Sequence, residues 1–414
     1  MASLFVCMKP AFWASRRRQA RQNADLKVLD GLSLYENRPP TPASTKPTPC
    51  ATTNDISTVS SSNTVFESEE ASTHRALVIA SKRQYALLEL HPSPKFENDT
   101  EVMVRNHAVG LNPIDWKSVD YNFCLPAFPW VTGREMAGVV EKVGSRVTEF
   151  KKGDRVWTST YYRDVRAGCF QELVMVPQHT VSPIPNNMTF EAAACLGVAG
   201  LTAAMTLWKW LNVLMPSACL GMPQQSLFDR DQEYLLVWGG STVTGQFAIQ
   251  IAVRCGLKVI AVTSEKTKGL AEALGAEVVT RDSKAVNEIV GEILAIAGDR
   301  ITKAIDLVGD KNTVNSLMAV SKSRQVDFAP LAMMGKHSVM ENVTVHTVEM
   351  KRFVLDEKSS VYSKELNRMI QDGLIRLPEI QILVGGLSVI EEGLELLKRG
   401  DMNGRKLVVS MAEK

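Results

Sequence analysis

The feature that most constrains this chain is a short apolar run, Leu235-Leu236-Val237-Trp238, that passes directly into Gly239-Gly240-Ser241-Thr242-Val243-Thr244-Gly245. A strand with apolar side chains at successive positions is buried on both faces, so helices must cover the sheet above and below. Residues 243–255 follow with helical spacing, which puts the glycines in a strand-to-helix turn. The same alternation continues with strands at 258–262, 278–279 and 304–308 and helices at 266–274 and about 289–296. It predicts a doubly wound parallel sheet over about residues 200–345.

The opening half has a different texture. Runs at 75–80, 85–90, 101–109, 138–143, 155–157 and 169–176 are short and strand-like, separated by turns such as Gly144-Ser145 and Lys152-Gly153-Asp154. Residues 190–210 then change to an Ala-, Leu- and Met-rich helical pattern, with Thr189 available as its cap. Past residue 346 come helical patterns at 362–371 and 389–399 and a terminal strand at 406–410. A β region, an inserted α/β segment and a mixed tail imply that the tail completes the first domain. The expected division is 75–199 with 346–414, and 200–345 inserted between them.

Ahead of this lies a segment of another kind. Residues 1–24 carry Lys9, Arg16, Arg17, Arg18 and Arg21 and no acidic residue, while residues 37–73 are rich in Pro, Ser, Thr and Asn. Such composition cannot bury enough apolar surface to offset its ordering entropy, so a disordered leader over 1–74 is expected. The basic start resembles an organelle transit segment, and a chance basic terminus or a misplaced start fits it equally. A cytoplasmic location is expected, with mitochondrial import left open.

Lys plus Arg number 47 and Asp plus Glu 45, a net of +2 that gives no general attraction to nucleic acid or anionic lipid. No uninterrupted apolar run approaches the length of a membrane helix, so no membrane partner is expected. The 7 cysteines are odd in number and none stand two residues apart, which argues against a disulfide framework and fits a reducing compartment. Cys195 and Cys255 are expected as small buried hydrophobes.

A glycine turn between strand and helix lets backbone amides and the helix N-terminus approach a pyrophosphate. Its spacing departs from G-x-G-x-x-G, so the strand–turn–helix context carries more weight than the pattern. At the end of the next strand an NAD site usually places an acidic side chain. Here Thr263 and Ser264 stand there, followed by Lys266 and Lys268, a set suited to the ribose 2′-phosphate of NADPH. Glu265 opposes that reading; NADPH is nonetheless the expected cofactor.

Several segments resemble the medium-chain dehydrogenase/reductase superfamily: His107-Ala108-Val109-Gly110-Leu111-Asn112-Pro113-Ile114-Asp115-Trp116-Lys117, Gly133-Arg134-Glu135-Met136-Ala137-Gly138, Lys152-Gly153-Asp154-Arg155-Val156 and Gly168-Cys169-Phe170-Gln171-Glu172. The resemblance covers about residues 75–412. The turn after Trp238 and Phe353-Val354-Leu355-Asp356 look more narrowly like fungal trans-acting enoyl reductases that accompany polyketide synthases, and their toxin-cluster relatives. What the resemblance implies is a GroES-like, mostly-β catalytic domain with an inserted Rossmann cofactor domain. Zinc enzymes of the superfamily hold their metal with Cys and His in these segments. This chain has no Cys in Asn112-Pro113-Ile114-Asp115 and Arg134 where those enzymes place His, so no zinc is expected.

The resemblance puts Asn112 and Lys117 near the nicotinamide or the NADPH phosphates, and Thr202 where the two domains meet. Lys117 would orient cofactor or donate to a developing enolate; the alternative is a solvent-facing lysine at a strand end. Tyr121 is a candidate proton donor because phenols serve so in related reductases, and a packed core tyrosine fits it as well. The implied activity is zinc-independent, NADPH-dependent reduction of an activated C=C bond on an acyl chain carried by a synthase. A quinone or carbonyl reductase of the same fold, and a nucleotide-binding protein without turnover, remain open, as do monomer and homodimer. His107, His179 and His346 lie in or beside strands with no carboxylate spaced to orient them, and are read as core or surface groups. Asp306, at a strand end near the cleft region of an open α/β sheet, is left out of the catalytic set because such residues often only cap the following loop. Residues 214–231 are read as a tolerated surface insertion, with a substrate entrance or a partner contact as the alternative.

Overall fold

The computed structural model describes residues 72–219, 233–309, 311–332, 334–335, 337–400 and 402–412. Residues 1–71 of the expected leader, and 220–231 of the expected insertion, lie outside the described residues.

Three strands form a small sheet: β1 (Thr73–Ser81) pairs antiparallel with β2 (Gln84–Pro92), and a further strand, Trp130–Val131, joins β1 on its other edge. A larger sheet is built from β3 (Glu101–Gly110), with the Trp130–Val131 strand counted as β4, then β5 (Glu135–Val143), β6 (Arg155–Ser159), β7 (Leu173–Pro177) and β8 (Val181–Pro183). Two strands from the far end of the chain complete it.

Between them the chain forms a six-stranded parallel sheet of β9 (Tyr234–Trp238), β10 (Lys258–Thr263), β11 (Glu277–Thr280), β12 (Ile301–Asp306), β13 (Val326–Pro330) and β14 (Val343–Val345). Its order is β11-β10-β9-β12-β13-β14, and every pairing is parallel. The strand order reverses between β9 and β12, so the glycine turn after β9 sits at the topological switch point, where open α/β sheets bind ligands. All five residues of β9 are buried, as its unbroken apolar run requires. β13 and β14 escape the sequence reading because Asp327, Pro330 and two exposed residues of β14 break their apolar character.

The tail returns to the first sheet. β15 (Ile380–Val384) pairs with β16 (Lys406–Ser410), and β16 runs antiparallel to β3 through Val408 to Gly110 and Ser410 to Ala108. The seven-stranded order is β15-β16-β3-β5-β6-β8, with β7 on β3. The parallel sheet is therefore an insertion into a mostly-β domain.

The helical run Phe190–Trp210 starts where Thr189 Oγ1 accepts from Ala192 N at 3.2 Å. By length and composition it is apolar enough to cross a membrane, yet 72 % of its most apolar window is buried inside the protein. Leu196, Ala199, Ala203 and Leu207 pack with Trp157 of the first sheet, Phe247 of the inserted domain, and Leu366 and Met369 of the tail helix Ser360–Gln371. Each fully buried Leu or Phe contributes roughly 1.5–3 kcal/mol, so this shared core fastens the parts together. Phe353 of the tail packs on Leu201 and Met205 of the same run.

One element departs from expectation. The segment after β3 forms a helix, Pro113–Tyr121, rather than a strand end. Pro113 occupies its first turn, where no amide is needed, and Asp115 Oδ2 accepts from Asn112 N at 2.8 Å to close that turn.

Candidate active site

The glycine turn opens the helix Val243–Arg254. Gly239 has φ +93°, a left-handed conformation that disfavours any side chain. A Cβ at Gly245 would lie 2.5 Å from Gly239 O and 2.8 Å from Gly240 O, so the helix can approach the turn only with glycine there. Thr242 caps the helix, its Oγ1 accepting from Gly245 N at 3.0 Å. Val243 and Thr244 occupy the first turn, whose amides have no intrahelical acceptor. Ser241, Thr242, Val243 and Thr244 keep solvent access, while Gly239 and Gly240 are buried. Buried glycines beneath an open rim of first-turn amides fit a dinucleotide pyrophosphate.

At the end of β10, Thr263 is buried and donates its hydroxyl to Ser264 O at 3.1 Å, so it faces the fold rather than a ligand. Ser264 shares a 2.9 Å hydrogen bond with Thr267. Lys268 lies 3.9 Å from Glu272 and stays partly exposed. Parallel pairing of Thr263 with Thr280 brings Arg281 alongside, its amide donating to Thr263 O at 3.0 Å. Arg281 is a cation beside this strand end that the sequence reading missed, because the strand register supplies it.

Residues 112–135 form a second centre. Asn112 is buried and its amide is fully engaged: Nδ2 donates to Glu135 Oε1 at 2.8 Å and to Gly110 O at 3.2 Å, while Oδ1 accepts from Lys406 Nζ at 2.8 Å. Lys406 also donates to Leu111 O at 3.0 Å and to Glu135 Oε1 at 2.5 Å. Glu135 Oε2 accepts from Val198 N at 2.6 Å, reaching the Phe190–Trp210 run that carries Thr202. Gly404, two residues before Lys406, accepts from Gln246 Nε2 at 2.6 Å, and Gln246 Nε2 donates also to Ser241 O at 3.0 Å. Hydrogen bonds thus link Asn112, Glu135 and Lys406, and the backbone from Lys406 to Gly404 carries the connection on through Gln246 to the glycine turn. Of these, only Asn112 and the turn were singled out by sequence; Glu135, Gln246 and Lys406 could be found only once β16 was known to return.

Lys117 is half-buried on its helix with its ammonium 5.6 Å from the Trp116 ring centre, and Lys398 covers the same ring at 5.7 Å. Burial lowers its pKa from the ordinary lysine value. The strand-end alternative for Lys117 is thereby corrected. Tyr121 closes that helix, its ring 6.2 Å from Trp116. Thr202 is partly exposed between buried Leu201 and Ala203. Asp115 is fully buried and desolvation pushes its carboxyl up to about 7, with Arg134 and Lys406 opposing the rise. Arg134 lies over the Tyr162 ring at 5.2 Å.

Other expectations resolve plainly. Asp306 caps its loop, accepting from Val308 N and Gly309 N at 2.9 and 3.0 Å and from Thr313 Oγ1 at 2.5 Å. His346 is oriented by a carboxylate after all: its Nε2 is 2.8 Å from Asp327 Oδ1, a partner supplied by the β13–β14 register. His107 stacks on Phe190, and His179 Nε2 meets Val354 O at 2.9 Å. Cys195 is buried, whereas Cys255 is only partly so, because it ends its helix at the surface.

A GroES-like sheet carrying an inserted Rossmann sheet, with a phosphate-suited turn at the switch point, is the build of a nucleotide-linked oxidoreductase. The family models for the alcohol dehydrogenase GroES-like domain and for zinc-binding dehydrogenases match residues 98–186 and 244–371. A trans-enoyl reductase of Aspergillus flavipes, tndF, is 30 % identical over 358 residues, covering 82 % of this chain and 99 % of its own. The trans-enoyl reductase himH of Aspergillus japonicus is 28 % identical over 320 residues, 75 % of this chain and 90 % of its own. Among solved structures, a quinone oxidoreductase of Pseudomonas syringae superposes with TM-score 0.67 at 22 % identity, over 81 % of this chain and 99 % of that one. The CurK enoyl reductase gives 0.65 at 19 %, over 82 % and 100 %. The chain belongs to the medium-chain dehydrogenase/reductase family and is a reductase of that type.

Proposed function

We propose that the chain is a zinc-independent, NADPH-dependent reductase of an activated C=C bond, acting on an enoyl thioester presented by a synthase. The observation that carries this reading is the donor set: Asn112, Asp115 and Arg134 stand where zinc relatives place thiolate and imidazole. Asn112 offers only an amide oxygen already bonded to the Lys406 ammonium, in place of a thiolate, and a guanidinium repels a metal cation. The near full-length match to a relative named trans-enoyl reductase supports the substrate class.

NADPH, when bound, supplies the hydride. Gly239, Gly240, Ser241, Thr242, Val243, Thr244 and Gly245 hold its pyrophosphate on the turn, and Ser264 and Lys268 form the 2′-phosphate end, with Thr263 turned into the fold behind them. Lys117 orients the cofactor, Tyr121 returns a proton to the substrate, Thr202 lines the junction, and Asn112 is a positioning residue held by Glu135 and Lys406.

The test is oxidation of NADPH and NADH by purified protein with crotonyl thioesters and with quinones, each with and without a chelator. Chelator-insensitive, NADPH-selective turnover of the thioesters is expected. Turnover of quinones alone overturns the substrate reading, and loss of activity on chelation overturns zinc independence.

A further inference from the structure

Arg134 is a buried cation two of whose donors have no hydrogen-bond partner. The residue is 9 % exposed, and both Nε and Nη2 are buried with no hydrogen-bond partner. Beside it, Thr132 Oγ1 and Asp115 Oδ1 are likewise buried and unpartnered. Buried polar atoms are nearly always bonded, and leaving one unmade costs about 1–3 kcal/mol, more for a charged group. The open Arg134 donors, at the strand start that carries Glu135, therefore suit a ligand that supplies an acceptor.

The surroundings say what kind. The Tyr162 ring lies on one face of the guanidinium, and Trp130 Nε1 fixes that loop by donating to Tyr162 O at 3.1 Å. Thr160 N donates to Arg134 O at 2.9 Å, and Thr160 Oγ1 to Gly133 O at 3.2 Å, so the backbone under Arg134 is held. Next in sequence, Glu135 ties the same strand start to Asn112, Lys406 and the Thr202 helix. Arg134 thus stands on the rigid centre of the candidate site, with two unpartnered N–H donors and the Asp115 carboxyl as its neighbouring charge. A guanidinium so placed suits an oxygen that carries or gains negative charge.

We propose that Arg134 receives the carbonyl oxygen of the substrate and holds the negative charge that collects there as the conjugated C=C bond is reduced. The inference rests on the proposed reductase function and assigns it an electrophile. Donors aimed at developing charge in a dry site contribute about two to three orders of magnitude in rate when removed singly. An arginine that touches the reacting carbonyl also restricts substrates to alkenes conjugated with a carbonyl, and leaves isolated alkenes untouched.

The experiment compares wild type, Arg134→Lys and Arg134→Met in three readouts: turnover of crotonyl-N-acetylcysteamine and of a naphthoquinone, NADPH affinity by fluorescence, and binding of crotonate by calorimetry. Expected are a roughly 100-fold loss of kcat in Arg134→Met, partial retention in Arg134→Lys, unchanged NADPH affinity, and loss of crotonate binding. A purely structural role predicts a lower melting temperature in Arg134→Met with kcat per folded molecule unchanged; the proposal predicts the loss of kcat and of crotonate binding in the folded variant. Full activity in Arg134→Met on a substrate that wild type reduces overturns the inference and leaves the reductase reading standing. If wild type reduces neither substrate, the reductase reading falls, and crotonate then decides for Arg134: binding lost in Arg134→Met supports its anion site, and equal binding or none overturns it.

Discussion

Lys406 Nζ lies 2.5 Å from Glu135 Oε1, and the two residues are 3 % and 0 % exposed. They stand 271 positions apart in sequence, on β16 and on the first residue of β5, next to Arg134. An ion pair this deep is weak evidence of net stabilisation, since desolvating two charges offsets much of their attraction. Breaking it from one side is another matter, because the survivor stays buried and unpaired.

Lys406→Met is therefore expected to cost about 3–5 kcal/mol and lower the melting temperature by roughly 5–10 °C. The double variant Glu135→Gln with Lys406→Met should recover much of that loss. Thermal unfolding of the four proteins in the cycle measures the coupling, and simple additivity would contradict it.

The parallel sheet was largely legible because its central strands are apolar throughout and its turns are marked by glycine. The long helix was legible from Thr189 and its period. The helix Pro113–Tyr121 was not, because Asp115, Ser118 and Val119 face inward and give no apolar stripe. The turn could be read as a cofactor site from local sequence alone. Glu135, Lys406, Gln246 and Arg281 could not, since each gains its place through strand register or a chain return that no local pattern records.

Gly245→Ala is expected to weaken NADPH at least about tenfold while the protein stays folded. The new Cβ would meet the carbonyl oxygens of Gly239 and Gly240, which are backbone and can yield only by opening the turn. Fluorescence titration reads the change, and unchanged affinity would remove the turn from the cofactor site.

Lys268→Ala is expected to weaken NADPH by about 3–10-fold and leave NADH unaffected, the signature of a charged contact to the 2′-phosphate. Its 3.9 Å approach to Glu272 is between partly exposed groups and contributes little, so stability should stay within about 0.5 kcal/mol. Equal losses for both cofactors would place Lys268 elsewhere.

Lys117→Met is expected to lower kcat/KM by about 10–100-fold with little change in melting temperature. Its amine has its pKa lowered by burial and lies over the Trp116 ring, a contact of roughly 0.5–1 kcal/mol that the neighbouring Lys398 shares. A large fall in stability with unchanged kinetics would make it a packing residue.

Asp115 gives the molecule a pH signature. Its carboxyl is fully buried and pushed up to about 7, above its unfolded value near 3.8, because desolvation outweighs the nearby Arg134 and Lys406 charges. The folded state then binds more protons than the unfolded chain between those values, so the contribution to stability is full below about pH 4 and is lost as pH rises through 7. Asp115→Asn keeps an oxygen for Asn112 N and removes the titration. Its melting temperature relative to wild type should therefore climb as pH goes from 4 to 8, and a difference that stays flat across that range would show Asp115 to be ionised in the folded protein throughout.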